Sequence, residues 1–199
     1  ADNGMNMGHH GIWGKGNGTF PFNLFDTAVK VPFIARWPGH ILADRVTPSM
    51  CSHYDIIQTL NELLDLGAQL PEDLPGHSFA NVLVQGEDTD NHVVILDEYG
   101  NSRMIRNQEW KYIHRYPYGP HELYHLTTDP GEKENLVEKP EYAPIREQLL
   151  SQLQNWYYTY ADPAMDGSRE AVTGFGQMRR PGIYSEGKPV YENSPKYQK

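Results

Sequence analysis

Three β-type runs at the centre of the chain constrain its fold more than any other feature of the 199 residues. The runs are HVVILDEYG (92–100), RMIRNQEWKYIHRY (103–116) and HELYHL (121–126), and the middle one consists of two alternating halves about Asn107-Gln108. Short runs of alternating polarity bounded by turn residues are typical of consecutive strands. Together they predict an antiparallel meander.

An amphipathic helix is predicted directly after the meander, in YAPIREQLLSQLQNWYYTYA (142–161). Pro144 stands in its first turn, which suits proline because the first N–H groups of a helix have no partner inside the helix. The apolar stripe of this helix consists of Ile145, Leu149, Leu153, Trp156 and Tyr160. We expect the stripe to pack against the meander.

The first part of the chain predicts a strand followed by a helix. VKVPFIARWPG (29–39) is a short apolar run closed by Pro and Gly, which favours a buried strand of the parallel type. CSHYDIIQTLNELLDLG (51–67) has apolar residues at helical spacing, with Ser52 as the N-cap, Asp55 completing a weak capping box and Gly67 at the C-terminal end. A strand followed by a helix indicates the flank of an α/β sheet.

These elements predict an α/β chain in three parts. Residues 1–90 would be the trailing part of a parallel-sheet domain, and residues 91–161 a small antiparallel sheet with one packed helix. Residues 162–199 lose all periodicity and predict an extended tail. The aromatic side chains that we expect to pin this tail to the surface are Phe175, Tyr184 and Tyr191.

Composition excludes several classes of function. The formal net charge of −9 gives no electrostatic basis for binding nucleic acid, and no apolar run approaches the ~20 residues that span a bilayer. Cys51 is the single cysteine, which excludes an intrachain disulfide framework and a multi-cysteine zinc site. We expect Cys51 to be a semi-buried packing residue at the start of a helix.

Two short polar stretches near the N-terminus carry the candidate chemistry. Asp2 and Asn3 precede Gly4, and such a triplet is either a turn or, at the carboxyl edge of a parallel strand, a pair of oxygen ligands for a hard divalent cation. GHHGIWGKGNG (8–18) is a glycine-rich loop whose backbone can approach an anion, and the Lys15 ammonium can add charge-assisted hydrogen bonds. The loop lacks the spacing of a phosphate-binding P-loop.

Six blocks of the chain, in order, resemble the C-terminal part of the sulfatase family. They are ADNG, GHHGIWGKG, FDTAVKVPFIARWPG, SHYDIIQTLNELLDLG, LPGHSFANVLVQG and ELYHLTTDPGEKENL, and they cover residues 1 to about 160. The last block is the most specific of the six. The resemblance implies an alkaline-phosphatase-like α/β fold and hydrolysis of sulfate esters.

The resemblance also implies roles for four side chains. In sulfatases an Asp-Asn pair after a core strand binds a calcium ion, and this pair would be Asp2 and Asn3. The lysine of the Gly-Lys loop reaches the sulfate, and this would be Lys15. The histidine of the His-Gly-x-Trp pattern would be His10, in contact with sulfate or sugar, whereas His9 stands where relatives often have Glu and receives no role.

The nucleophile of the family is not present in this chain. Sulfatases use a formylglycine made from the Cys or Ser of a Cys/Ser-x-Pro-x-Arg motif, and neither Cys51 nor any serine here has Pro and Arg at that spacing. Calcium takes about 6–8 oxygen ligands, and Asp2 and Asn3 supply two side chains. We therefore expect the back half of an enzyme, inactive by itself, with the N-terminal half and a sulfated small molecule or glycan as partners. The compartment is open, with a periplasmic or extracellular parent as the expectation.

Two alternatives from other functional classes stay open. Related phosphonate and phosphodiester hydrolases tend to pair Asp with His at this metal position, so Asn3 favours sulfate esters over them. A non-catalytic structural or binding domain is the other alternative, in which the glycine loop caps a strand. Asp26, where relatives have Glu, is expected in a structural role or at the substrate rim.

Overall fold

The computed structural model describes residues 1–19, 22–96 and 101–168. The strands are Asn6–Met7 (β1), Trp13–Gly14 (β2), Val93–Leu96 (β3), Ser102–Arg106 (β4), Trp110–Arg115 (β5) and Glu122–His125 (β6). The α-helices are Asp26–Val29 (α1), Ile56–Leu63 (α2), Ala80–Val84 (α3) and Ala143–Tyr160 (α4). Short 3₁₀ turns lie at His9–Gly11, Gly16–Gly18, His53–Asp55, Pro140–Tyr142 and Pro163–Met165.

The predicted meander is confirmed as a four-stranded antiparallel sheet in the order β3-β4-β5-β6. Tyr112 in the third strand stands opposite Ile105 on one side and Leu123 on the other. Because side chains alternate between the two faces of a sheet, each face builds its own core. The residues predicted at 97–100 lie outside the described part of the chain.

Helix α4 covers one face of the sheet, as its apolar stripe predicts. The buried residues of this core are Val94, Ile105, Tyr112, Leu123, Leu136, Val137, Leu149 and Leu153. Ile145 and Trp156 of the predicted stripe lie partly buried at its margin. The small antiparallel sheet with one packed helix is therefore present in the chain.

The second face of the sheet packs against the N-terminal part of the chain. Its buried residues are Leu24, Met104, Ile113, Tyr124 and Leu126, with Phe25 and Val29 at the margin. The segment that follows the glycine-rich loop is thereby held directly on the sheet. This contact positions the candidate site.

The structure contradicts the buried parallel strand predicted at 29–39. Val29 ends α1, no strand follows it before Pro38, and Phe33 and Ile34 are 56% and 91% exposed. A strand requires a neighbour that satisfies its backbone N–H and C=O groups. Within the described residues both sheets are antiparallel and are built from other segments, so this apolar run has no strand to pair with.

The helix predicted at 51–67 is shorter than expected, although its start is as predicted. Asp55 accepts a hydrogen bond from the Ser52 N–H (2.6 Å), and the Ser52 hydroxyl accepts one from the Tyr54 N–H (3.4 Å), which completes the capping box. The 3₁₀ turn His53–Asp55 then leads into α2. Gly67 follows the helix with a φ of 59°, a left-handed conformation typical of residues after a helix end.

Two further expectations are corrected or lie outside the structure. Cys51 is exposed and lies before the first turn of the helix, which begins at His53, so it is not the semi-buried residue expected. The tail residues Phe175, Tyr184 and Tyr191 lie outside the described residues. Among the helices of the described ranges, none has the length and apolar character to cross a membrane.

Candidate active site

The glycine-rich loop is closed at its base by the two-stranded ladder of β1 and β2. Gly8 and Gly11 take left-handed backbone conformations with φ of 89° and 73°, and His10 between them has a φ of 53°. A positive φ is uncommon for a residue other than glycine and is found preferentially at ligand sites. The Trp13 ring lies over Gly8 but is 71% exposed, so it contacts the loop with a small part of its surface.

Lys15 lies on a turn that one buried asparagine holds in place. The Asn23 side-chain amide is directed at the carbonyl oxygens of Lys15 (3.3 Å) and Gly16 (3.1 Å) and at the Thr19 hydroxyl (3.1 Å). The Asn23 backbone N–H donates to the same Gly16 oxygen at 3.0 Å. Lys15 itself is exposed, and within the described residues its ammonium has no hydrogen bond or ion pair.

A second buried asparagine ties this turn to the ladder. Asn6 is fully buried, and its amide donates to the Asn23 side-chain oxygen (3.2 Å) and to the Gly14 carbonyl (3.1 Å). The Asn6 side-chain oxygen accepts a hydrogen bond from the Thr27 hydroxyl. Buried amides with this many partners fix the geometry around them.

The three predicted parts of the site all contact the segment 23–28. The Lys15 turn is bound to Asn23, and the His10 ring stacks on the Phe25 ring with centroids 3.8 Å apart and planes 7° apart. The Gly4 N–H donates to the Ala28 carbonyl at 2.8 Å. The Lys15 turn, the His10 ring and Gly4, which directly follows Asp2 and Asn3, therefore all contact one short segment.

Asp2 and Asn3 have the ligand chemistry for a hard cation but not the number. Both are exposed, and the Asn3 amide nitrogen donates to the Gly4 carbonyl (2.8 Å), which leaves its side-chain oxygen available. In the described ranges no group of three or more His, Cys, Asp or Glu side chains could hold a metal ion. The two oxygens fit one part of a calcium shell, and the remaining ligands would have to come from elsewhere.

Gly4 is required by the close approach of the chain to α1. A Cβ atom at position 4 would stand 2.3 Å from the Thr27 carbonyl oxygen, which no real side chain tolerates. Because Gly4 directly follows Asp2 and Asn3, this contact sets where the pair lies. The glycine of the ADNG stretch therefore has a packing function.

A buried network of charges fixes the same segment to the sheet. Lys111 on β5 is 0% exposed, and its ammonium donates to Asp26 Oδ1 (2.6 Å), Glu132 Oε1 (2.5 Å) and the Leu24 carbonyl (3.0 Å). Glu132 Oε2 accepts from the Asp26 backbone N–H at 2.6 Å. Arg106 donates to both Asp26 carboxylate oxygens, at 3.1 and 2.9 Å. The structure thus assigns Asp26 a structural role.

The two carboxylates of this network differ in pKa. Burial raises the pKa of Asp26, but the adjacent Lys111 and Arg106 outweigh it, and the pKa lies below its usual value. Burial dominates at Glu132, so its pKa is raised although Lys111 favours the charged form. Two cations for Asp26 against one for Glu132 account for the difference.

Arg115, also on β5, holds the segment two residues earlier. Its guanidinium donates to the Phe22 carbonyl (2.9 Å), the Pro120 carbonyl (2.8 Å) and Glu122 (2.5 Å). Lys111 and Arg115 therefore bind alternate carbonyls, those of Leu24 and Phe22. Asn23 stands between them and bonds in the other direction, to the Lys15 turn.

Sequence reasoning did not find four residues of this arrangement, namely Asn6, Asn23, Lys111 and Glu132. One signal was available for Lys111, because it stands at an inward position of an alternating strand. Glu132 lies in the block DPGEKENL, whose specificity had no structural reason before its contacts with Asp26 and Lys111. The two asparagines have no local pattern that distinguishes them from turn residues.

Comparison with known proteins identifies similar chains. The family model described as "N-sulphoglucosamine sulphohydrolase, C-terminal" matches residues 8–159. An ulvan-active sulfatase of Formosa agariphila is 29% identical over 193 residues, covering 77% of this chain, and arylsulfatase A of Bos taurus is 32% identical over 189 residues, also covering 77%. This chain spans 36% of the length of each of these two proteins.

A solved structure with the same fold was determined with a sulfated compound. It is a protein in complex with its substrate, D-glucosamine-2-N,6-O-disulfate, at 23% sequence identity and a TM-score of 0.67. The match covers 85% of this chain and 35% of that one. At this identity the likeness establishes the fold.

Proposed function

The chain belongs to the sulfatase family, in the C-terminal region that the matching family model describes, and we propose that it supplies the metal- and sulfate-binding residues of an enzyme that hydrolyses sulfate esters. The observation that carries the proposal is the contact of three polar stretches with one segment. The Lys15 turn, the His10 ring and the Asp2-Asn3-Gly4 stretch all bind residues 23–28.

Lys15 is the residue that we assign to the sulfate. Its exposed ammonium has no competing anion among the described residues, and it stands on a turn with a fixed backbone. A positive group held in advance beside the transferred sulfuryl group offsets the charge that develops there during hydrolysis. His10 is assigned to a neighbouring oxygen of the sulfate or of the group that carries it.

Calcium is the cation that we propose for Asp2 and Asn3, together with oxygens contributed from outside this chain. When bound, it would place positive charge beside the sulfate oxygens. The residues of this chain orient that corner of the site through Gly4, which bonds Ala28. The nucleophile also has to come from outside, because this sequence has no Cys/Ser-x-Pro-x-Arg motif.

Exposed apolar side chains in the first part of the chain support a partner that completes the site. They are Phe33, Ile34, Val46 and, on α2, Ile57, Leu60 and Leu64. Apolar side chains exposed in this number are typical of a surface that another part of a protein covers. We propose that they are covered by the part of a sulfatase polypeptide that this chain does not span, which is about two thirds of the length of the relatives.

The experiment that tests the function uses the full-length polypeptide that carries this chain. Release of sulfate from an aryl sulfate and from a sulfated disaccharide is compared for the wild type, Lys15→Ala and Lys133→Ala. Removing one preorganised charge at a reacting group typically lowers kcat by about 10²–10³-fold. We expect that loss for Lys15→Ala, whereas Lys133→Ala, a lysine in the turn after β6, should retain wild-type turnover.

Two outcomes would contradict the proposal. Wild-type turnover in Lys15→Ala would favour a domain whose glycine loop has only a structural function. Faster hydrolysis of a phosphate diester than of any sulfate ester by the wild type would favour a phosphodiester hydrolase of the same superfamily.

A further inference from the structure

The Asn23 side-chain amide nitrogen has more hydrogen-bond acceptors in the Lys15 turn than it has hydrogens to donate. The residue is 4% exposed, and its amide nitrogen approaches three acceptors, on Lys15, Gly16 and Thr19. An amide group has two N–H donors, so at least one hydrogen is shared between two acceptors. All three acceptors lie within the five residues of the turn, so the amide closes the turn on itself.

Asn23 cannot shift to relax these contacts. The carbonyls on either side of it, those of Phe22 and Leu24, accept hydrogen bonds from Arg115 and Lys111 at 2.9 and 3.0 Å. Its side-chain oxygen accepts from Asn6, which is itself fully buried. The sheet thereby fixes the backbone of Asn23, and Asn23 fixes the backbone that carries the Lys15 side chain.

We infer that Asn23 is a positioning residue for Lys15, which holds the turn 15–19 in the conformation that presents the ammonium to the sulfate. The inference rests on the proposed role of Lys15. A misplacement of about 1 Å at a reacting group is able to cost about 10²-fold in rate. Loss of the Asn23 amide should therefore lower turnover through Lys15 and not through the stability of the fold.

A double-mutant cycle on the full-length polypeptide separates these two routes. We expect Asn23→Ala to lower kcat for aryl sulfate hydrolysis about 10- to 100-fold, with a smaller change in KM. In a Lys15→Ala background the same substitution should change kcat less than threefold, because the group it positions is absent. Equal losses in both backgrounds would overturn the inference.

Asn135→Ala is the matched control. Asn135 is also an asparagine with several side-chain hydrogen bonds, to the Leu123 and Val137 N–H groups and the His121 carbonyl, but none of these partners belongs to the Lys15 turn. It should lower stability without the kcat loss of Asn23→Ala. A kcat loss for Asn135→Ala as large as that for Asn23→Ala would show that loss of asparagine hydrogen bonds slows the enzyme wherever it occurs, and would overturn the inference.

Hydrogen exchange measured by mass spectrometry on the full-length polypeptide tests the positioning of the turn without measuring activity. The Gly18 N–H donates to the Lys15 carbonyl (2.9 Å), so its protection reports the closed turn. We expect Asn23→Ala to accelerate exchange at residues 16–19 at least tenfold, with β5 unchanged, and Asn135→Ala to leave residues 16–19 at the wild-type rate. Unchanged exchange at 16–19 in Asn23→Ala would overturn the inference.

The two measurements keep this inference apart from the proposed function. A wild type without sulfate release would remove the proposed function, and the exchange result would still decide whether Asn23 holds the turn. If β5 of Asn23→Ala also exchanges fast, the variant is globally unfolded, and Thr19→Val replaces it because it removes one acceptor of the Asn23 amide. A turn whose exchange does not change in Thr19→Val would equally overturn the inference.

Discussion

Lys111→Met tests how much the buried charge network contributes to holding the site on the sheet. Methionine has a similar length and is apolar, so it fills the space but leaves Glu132 without a cation and Asp26 with Arg106 alone. Removal of one partner from a buried ion pair destabilises a protein by about 3–5 kcal/mol, because the remaining charge is left uncompensated. Since Arg106 still neutralises Asp26, we expect a loss near the lower end, about 3 kcal/mol at pH 7.

The free energy of unfolding in urea at pH 7, followed by tryptophan fluorescence and by circular dichroism, measures this loss. The deficit should shrink between pH 7 and pH 4, because protonation removes the uncompensated charge of Glu132, whose pKa burial raises even in the presence of Lys111. Lys139→Met is the control, because Lys139 pairs with Glu134 at the surface, and it should stay close to the wild type.

A second substitution, at Glu132, tests whether the uncompensated carboxylate causes the loss of stability in Lys111→Met. Glu132→Gln added to Lys111→Met removes the uncompensated carboxylate, so the double variant should be more stable than Lys111→Met at pH 7. A loss below about 1 kcal/mol for Lys111→Met would refute the argument, since it is smaller than any buried unpaired charge permits. A double variant no more stable than the single one would refute it as well.

Two further predictions concern a histidine and a glycine. Burial, the stacked His121 ring at 4.2 Å and the nearby Arg103 lower the pKa of His114 to about 4. Between pH 6.5 and pH 4 the unfolded chain therefore binds a proton at this histidine that the folded chain does not, and the free energy of unfolding decreases as the pH is lowered. His114→Asn should flatten this part of the pH profile by about 1–2 kcal/mol, since partial exposure reduces the roughly 3 kcal/mol of the full shift, and an unchanged profile would contradict the assignment. Gly4→Ala should destabilise the chain by about 1–3 kcal/mol and lower calcium affinity in the full-length polypeptide, because its Cβ would meet the Thr27 carbonyl. Gly131→Ala, whose Cβ would meet the Lys133 and Asp129 side chains and no backbone atom within 4 Å, is the control, and equal losses in the two variants would refute the packing argument.

Local patterns in the sequence predicted the elements whose partners are also local. The capping box at Ser52 and Asp55 is a contact over three residues, and the β4–β5 pair is joined by a short turn at Asn107. The stripe of α4 needed only the adjacent sheet to be buried. For these elements, propensity and tertiary structure agree.

The predictions that failed, and the residues that were missed, have one physical cause. Their structure depends on contacts with residues that are distant in the sequence, which a local pattern does not indicate. The run at 29–39 is apolar, but burial of a strand depends on a neighbouring strand, and Ile34 has none in the described residues. Asn23 has the composition of a turn residue, and its importance follows from contacts with Lys15 and Asn6. The predicted ligand and sulfate residues were recognised by resemblance, and their roles remain predictions.

The anchors of segment 22–26 have a consequence for the order in which the molecule is made. Asp26 bonds Lys111 and Glu132, which are 85 and 106 residues further along the chain. At a synthesis rate of about 5–20 residues per second, these anchors are added roughly 4–20 s after Asp26. Until then nothing on the sheet holds the segment, and Asn23 has no fixed backbone from which to close the Lys15 turn. Although the Lys15 turn is translated before the sheet, it is therefore fixed in place only when the sheet is complete.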